Sequence, residues 1–293
     1  MEAIKKLEWL NQRRKLGLFV GAGISKGCGM PDWDELVSDL AYTVWGIKDA
    51  KNIFNGNLLH ISRALRETLG NRFEEEVEKR LYQNQPDYSN TLLSIAEAGI
   101  HRICSFNFDN LLEGALSQLK IPCEVVLPGD AFDRHLNKTI VFHPHGYLDY
   151  SSESTSIVFS EHDYHSLYSD PYCWSNLIQM NMLMSFSILF IGMSLTDPNL
   201  RRLLDSTRTI SVGSHFAIMK RKGTEYINFS IEKDLSSLGI DIVWVDEYSE
   251  IEDILTKVKR NPHQIGPEAK KSRKRKQKKS THTTTYAGVK QGR

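Results

Sequence analysis

The chain has 293 residues, a net charge of +1, four cysteines, and a composition that is 40% hydrophobic and 25% charged. This is the make-up of an ordinary soluble globular protein, long enough for one large core. The near-zero charge hides an asymmetry: from His263 onward there are ten Lys/Arg and one acidic residue, against 27 basic and 35 acidic residues in 1–262. An acidic globule has no charge reason to hold nucleic acid, whereas the basic tail does.

Met1 to Lys15 mixes charge with Leu7, Trp9 and Leu10 and lacks a continuous apolar core, so no secretory signal and a cytoplasmic location are expected. Leu16 to Val20 is a short apolar run that meets a tight turn at Gly21-Ala22-Gly23, with a helix to follow. From Trp33 to about Ala98 the periods are helical, as in Leu36, Leu40 and Val44, and this stretch is read as a helical insertion. Pro86-Asp87 interrupts it, and Ser89 or Asn90 can cap the next helix.

Further strands are predicted at Arg102–Phe106, Cys123–Leu127 and Thr139–Phe142, with a helix over Leu111–Leu119. Met180 to Leu195 is the longest apolar stretch, but Asn181, serines and Gly192 interrupt it. It is too short and polar to span a bilayer, so it is read as a helix feeding the buried strand Ile188–Ile191. A helix over Asp197–Leu204, strands at His215–Met219 and Ile240–Val245 with a helix between them, and a helix over Glu250–Val258 complete the globule. Strands alternating with helices imply an α/β, Rossmann-like doubly wound parallel sheet occupying residues 1–262. Lys270 to Lys279 holds eight basic residues in ten, so the tail 263–293 is expected to be disordered. Cys28, Cys104, Cys123 and Cys173 form no Cys-x-x-Cys pair, so no structural zinc is expected and the thiols read as scattered and buried.

Four strand-end turns carry chemistry. Gly21-Ala22-Gly23-Ile24-Ser25 would let backbone approach a pyrophosphate, although such a turn is as readily structural. An ordinary dehydrogenase fingerprint would need a second strand where the helical stretch lies. Ser105-Phe106-Asn107-Phe108-Asp109 follows a strand, where ligands of α/β sheets are met; Asn107 could orient ribose hydroxyls or a water, or Asp109 could simply cap a helix. In His143-Pro144-His145-Gly146 a strand-end histidine can serve as a base near neutral pH, although paired histidines in a turn are usually a surface feature. In Gly192-Met193-Ser194-Leu195-Thr196-Asp197-Pro198, Ser194 and the turn amides could hold a phosphate or ribose oxygen, while Thr196 or Asp197 suits a helix cap.

In that order the four turns resemble the sirtuin (Sir2) family over about Leu16 to Asp246. The similarity is closer to the Sir2-like NADase branch of bacterial antiviral systems than to protein deacylases. Pro31-Asp32-Trp33-Asp34-Glu35-Leu36 stands where deacylases carry Pro-Asp-Phe-Arg, and only Cys173 lies where their zinc ribbon would be. The resemblance implies a sirtuin-type fold and Asn107 with His145 as the catalytic pair. It implies Gly21, Ala22, Gly23 and Ser25 at the pyrophosphate and ribose, Asp109 at the nicotinamide carboxamide, and Gly192 and Ser194 at the adenosine side, with Asp32 and Asp197 among the nucleotide contacts. Phe106 departs from the small or polar residue common before the Asn.

The implied reaction is hydrolysis of NAD+ to nicotinamide and ADP-ribose. It needs no cofactor beyond NAD+ as substrate, and no zinc. Because a free NADase is toxic, a separately encoded sensor or activator, or a homo-oligomer, would gate it, with the helical insertion as contact surface. The tail could touch nucleic acid nonspecifically, and no membrane association is expected. A protein deacylase and a noncatalytic NAD or ADP-ribose sensor are the alternatives.

Overall fold

Seven apolar runs become seven strands. In the computed structural model, which describes residues 2–53, 56, 58–83, 86–131, 138–149, 156–210 and 213–261, α1 (Glu2–Gln12) precedes β1 (Leu16–Val20). Helices α2 (Ala22–Lys26), α3 (Trp33–Trp45), α4 (Ala50–Ile53), α5 (Leu58–Leu69), α6 (Phe73–Leu81) and α7 (Asn90–Glu97) then lead to β2 (Arg102–Ser105). After α8 (Leu111–Gln118) come β3 (Cys123–Val126) and β4 (Thr139–Phe142). Then α9 (Glu161–Ser169) and α10 (Trp174–Ser185) lead to β5 (Ser187–Ile191), and α11 (Pro198–Arg208) to β6 (His215–Lys220). Finally α12 (Glu225–Ser237) leads to β7 (Ile240–Val245), and α13 (Glu250–Val258) follows. The tail 263–293, expected to be disordered, lies outside the described residues.

The sheet order is β3-β4-β2-β1-β5-β6-β7, and every pairing is parallel. The chain builds outward from β1 through β2 on one side, then crosses to β5 on the other. This makes β1/β5 the switch point, in register from Leu16↔Ser187 to Val20↔Ile191. In open α/β sheets the crevice beyond the strand carboxyl ends at such a point is where ligands bind.

Period-two alternation divides the core between the sheet's faces. Leu18, Val20, Ile103, Val141, Leu189 and Ile191 pack with residues of α1, α3, α5–α8 and α13. Phe19, Cys104, Ile140, Phe142, Ile188 and Phe190 pack with α10, α11 and α12. Strands covered on both faces are why their sequence reads as unbroken apolar runs rather than alternation.

Local signals set the helix ends. Asp32 and Glu35 form a reciprocal capping box at α3, Ser89 Oγ accepts the Leu92 amide at α7, and Asp197 caps α11 with Pro198 in its first turn. The structure adds α1, which buries Leu7 and Leu10 on one face, and α9, which buries only Leu167 among its described residues. Asn11, on the same face of α1, donates to Ala98 O at 2.8 Å and Val258 O at 2.9 Å, a long-range tie that local pattern does not reveal. Cys28 and Cys104 are buried as expected, but Cys123 and Cys173 are only half-buried because they sit where β3 and α10 begin.

His215 yields a stability prediction. Its Nδ1 accepts the Ile188 amide at 3.1 Å, which requires the neutral ring, and burial pushes its pKa from 6.5 down to about 4. The unfolded chain therefore binds a proton near pH 6.5 that the folded chain refuses. Stability is full above 6.5 and is lost as pH falls toward 4, by at most about 1.4 kcal/mol per pH unit for this one group. His215→Asn can keep the acceptor without the titration. Urea unfolding at pH 7 and pH 5 should show a smaller acid loss for the variant, and equal losses would contradict this assignment.

Candidate functional site

The two halves of the sheet meet through backbone. Gly21 N–H donates to Ile191 O at 3.1 Å, and Gly23 N–H donates to Gly192 O at 2.9 Å. A Cβ on Gly21 would lie 2.8 Å from Gly192 O, and one on Gly23 would lie 3.0 Å from Gly192 Cα. The glycines thus bring the β1 and β5 loops into direct contact. The amides of Gly21 and Gly23 are engaged in that contact, so these glycines serve close packing at least as much as any phosphate.

Above this junction lies a cleft of about 540 Å³. The structure brings all eleven expected residues to its wall: Gly21, Ala22, Gly23, Ser25, Asp32, Asn107, Asp109, His145, Gly192, Ser194 and Asp197. Trp33, Phe106, Phe108, Val158, Tyr164 and Met193 supply apolar and aromatic surface, the mixture typical of small-molecule sites.

Asn107 sits at the end of β2 and is 9% exposed. Its Nδ2 donates to Ser25 Oγ at 2.7 Å and to Gly21 O at 3.3 Å, while Oδ1 is buried without a hydrogen-bond partner. The Gly21 carbonyl can only accept, so it fixes which way the amide faces. Ser25 also hydrogen-bonds Asp109, whose Oδ1 accepts the Leu111 amide at 3.1 Å. Burial raises the Asp109 carboxyl above the usual range, and the Ser25 and Leu111 hydrogen bonds partly offset it.

Contrary to the surface expectation for paired histidines, His143 and His145 are 0% and 6% exposed, because the turn after β4 folds inward beneath the 156–158 segment. Gly146, at φ +88°, permits this turn. His145 packs edge-on against Phe106, with ring centroids 4.9 Å apart, and its Nε2 is buried with no partner. Burial lowers its pKa, opposed by the charge of Asp197, so the ring favours its neutral form. Asp197 caps α11 through Oδ1 at 2.7 Å and accepts the Tyr164 hydroxyl through Oδ2 at 3.0 Å. Asp32 caps α3 and pairs with Lys26 at 2.7 Å on the rim. Ser194 and Thr196 share a hydroxyl bond of 2.7 Å in the loop after β5.

Sequence reasoning missed Tyr164. A lone tyrosine in a polar helix carries no motif, and only the packing of α9 over the cleft sets it 6.0 Å from the His145 ring. Among the described residues no group of three or more His, Cys, Asp or Glu side chains is arranged to hold a metal ion.

A cleft beyond the carboxyl ends of an all-parallel, doubly wound sheet, floored by two interlocked glycine turns, lies where open α/β sheets bind their ligands. Residues 101–243 match the family model of the SIR2-like domain. The chain is 26% identical to an NAD(+) hydrolase ThsA of Enterococcus faecium, over 88% of this chain and 58% of that protein. It is 24% identical to an NAD(+) hydrolase ThsA of Bacillus cereus (strain MSX-D12), over 83% and 54% respectively. A defense-associated sirtuin 2 of Bacillus subtilis is 22% identical over 73% of this chain and 21% of that protein. The chain thus spans little more than half the length of the two hydrolases it matches. A solved Sir2 in complex with the inhibitor EX-527, 2'-O-acetyl-ADP-ribose and a deacetylated p53 peptide superposes with a TM-score of 0.45 at 12% identity, covering 88% of this chain and 97% of that one.

Proposed function

We propose that the chain hydrolyses NAD+ at the nicotinamide–ribose bond, acting in the cytoplasm as a gated effector of antiphage defence. One observation carries the chemistry: two buried polar atoms without partners, Asn107 Oδ1 and His145 Nε2, belong to side chains in the wall of one cleft. Buried polar groups are normally satisfied, so such orphans point to a ligand that completes them. The hydrolase names of the relatives supply the substrate class.

In this reading the C1′–N bond breaks with its electron pair leaving on nicotinamide, and positive charge develops on the ribose. Asn107 Oδ1 orients a ribose hydroxyl or the attacking water. The water adds its oxygen to C1′ and gives its proton to His145 Nε2. The wall formed by Gly21, Ala22, Gly23 and Ser25 faces the pyrophosphate and ribose. Asp109 faces the carboxamide, and Gly192 and Ser194 the adenosine side, with Asp32 and Asp197 shaping the rim. A separately encoded activator, or assembly of copies, gates the site from the surface of α3–α7, where Tyr42 and Trp45 are exposed. The basic tail adds nonspecific contact with nucleic acid.

The test is nicotinamide release from NAD+ by the whole chain, with and without its genomic neighbours, across pH 5 to 8. ADP-ribose and nicotinamide should appear in equal amounts without any peptide. Because burial holds the His145 pKa below its ordinary 6.5, kcat should stay flat from pH 8 to about 6.5 and fall only below it. Nicotinamide release that depends on an acetylated peptide would overturn hydrolysis, and a decline centred at or above pH 6.5 would overturn the role of His145.

A further inference from the structure

A buried acid–base pair lies directly behind the cleft and is not used by the chemistry above. His143 Nδ1 is 3.1 Å from the main-chain oxygen of Asn107, and His143 Nε2 is 2.8 Å from Glu113 Oε1. His143 is 0% and Glu113 9% exposed, and the Tyr147 ring closes edge-on over the imidazole at 4.6 Å. A carbonyl oxygen can only accept, so Nδ1 carries a hydrogen and donates it. The 2.8 Å contact then holds one proton between Nε2 and Oε1, whether it rests on the ring or on the carboxyl.

The pair closes a small ring of structure. The chain runs from Asn107 through the turn at Asp109 into α8, where Glu113 sits in the first turn and reaches His143 at the end of β4. His143 then returns to Asn107, so β2, β4 and α8 are tied at one point. The loop is also held by Leu148 N–H to Phe108 O at 2.8 Å and by Asn110 N–H to the Tyr82 hydroxyl at 3.1 Å, neither of which reaches the Asn107 carbonyl. A buried pair of this kind adds little net stability compared with apolar residues of the same volume. Its value lies in direction.

We propose that Glu113 and His143 form a positioning unit that fixes the Asn107 main chain, so that its side-chain Oδ1 is held toward the cleft. This inference rests on the glycohydrolase reading above. The pair touches no substrate and acts through Asn107. Small misplacement of an orienting group is enough to cost on the order of 10²-fold in rate.

Two substitutions separate the two bonds. In His143→Asn the amide nitrogen replaces Nδ1 and can keep the bond to Asn107 O. In His143→Gln the longer amide keeps the Glu113 contact and gives up the one to Asn107. Steady-state NAD+ hydrolysis should show kcat reduced about 10- to 100-fold in His143→Gln with KM within about three-fold of the parent, and His143→Asn within about five-fold of the parent in both. The second readout is independent of turnover: the side-chain amide resonance of Asn107 in 15N-labelled protein, assigned by its loss in Asn107→Ala. It should move in His143→Gln and stay near the parental position in His143→Asn. If His143→Gln does not fold, Glu113→Ala, which frees the ring to turn away, carries the same expectation. An unmoved resonance in the variant that lacks the bond overturns the proposal, as does unaltered kcat in that variant of an active parent. If the parent itself releases no nicotinamide, the hydrolase reading fails, and the resonance alone decides the positioning role.

Discussion

His145→Ala and Asn107→Ala are each expected to lose at least about 10²-fold in nicotinamide release while staying folded, because a positioned base alone typically contributes 10²–10⁴-fold. The two variants should differ in stability. His145 Nε2 makes no hydrogen bond in the described structure, so its removal forfeits ring packing against Phe106 but also removes an unsatisfied buried nitrogen. Asn107→Ala breaks the bonds to Ser25 and Gly21 and leaves the Gly21–Ser25 turn short of a donor. It should be the less stable variant, by about 1–2 kcal/mol. Parallel thermal melts and product assays check both. Retention of more than about a tenth of parental turnover by either variant would remove that residue from the chemistry.

Gly146→Ala is expected to be the most damaging single-methyl change in the turn after β4. Gly146 has φ +88°, and its Cβ would lie 2.4 Å from Ser156 O and 2.9 Å from Ile157 Cα. Those atoms are backbone and cannot rotate aside. They belong to the segment that holds His145 down through Val158 N–H to His145 O at 2.8 Å. Left-handed backbone alone costs a non-glycine residue about 1–2 kcal/mol, and the clash adds to it, for a loss of roughly 3 kcal/mol or more by analogy with overpacked cores. Gly46→Ala is the control. It also has positive φ, at the α3 C-cap, but its Cβ would meet nothing within 4 Å, so only the backbone term applies. Urea unfolding of the two variants should separate them clearly, and equal losses would show that the 146–157 contact is not rigid.

Much of this fold was legible before the structure. Each predicted strand coincides with an observed one to within a residue or two: the central strands β1, β4 and β5, buried on both faces, are apolar almost throughout, and the edge strands β3 and β7 keep short apolar runs around Glu124 and Asp241. Turn residues such as Gly21, Gly192 and Pro122 bound them. Helix α9 was not legible, since it buries only Leu167 among its described residues; α1, whose Leu7 and Leu10 share a buried face, was not predicted, and its tie to Ala98 and Val258 through Asn11 is remote in sequence. Histidines in a turn read as exposed because local polarity says nothing about the segment that later covers them; the fold buries both.

The amino-acid order by itself determined the alternation of strands and helices, and the four strand-end turns carrying Gly21, Asn107, His145 and Gly192. Local composition and short-range backbone geometry suffice for those. Only the tertiary structure decided that β5 lies beside β1, so that Gly192 meets Gly23, that Tyr164 reaches Asp197, and that Glu113 and His143 grip Asn107 from behind. Such pairings join residues dozens of positions apart. Their energies exist only once the sheet has closed and water has left the space between them.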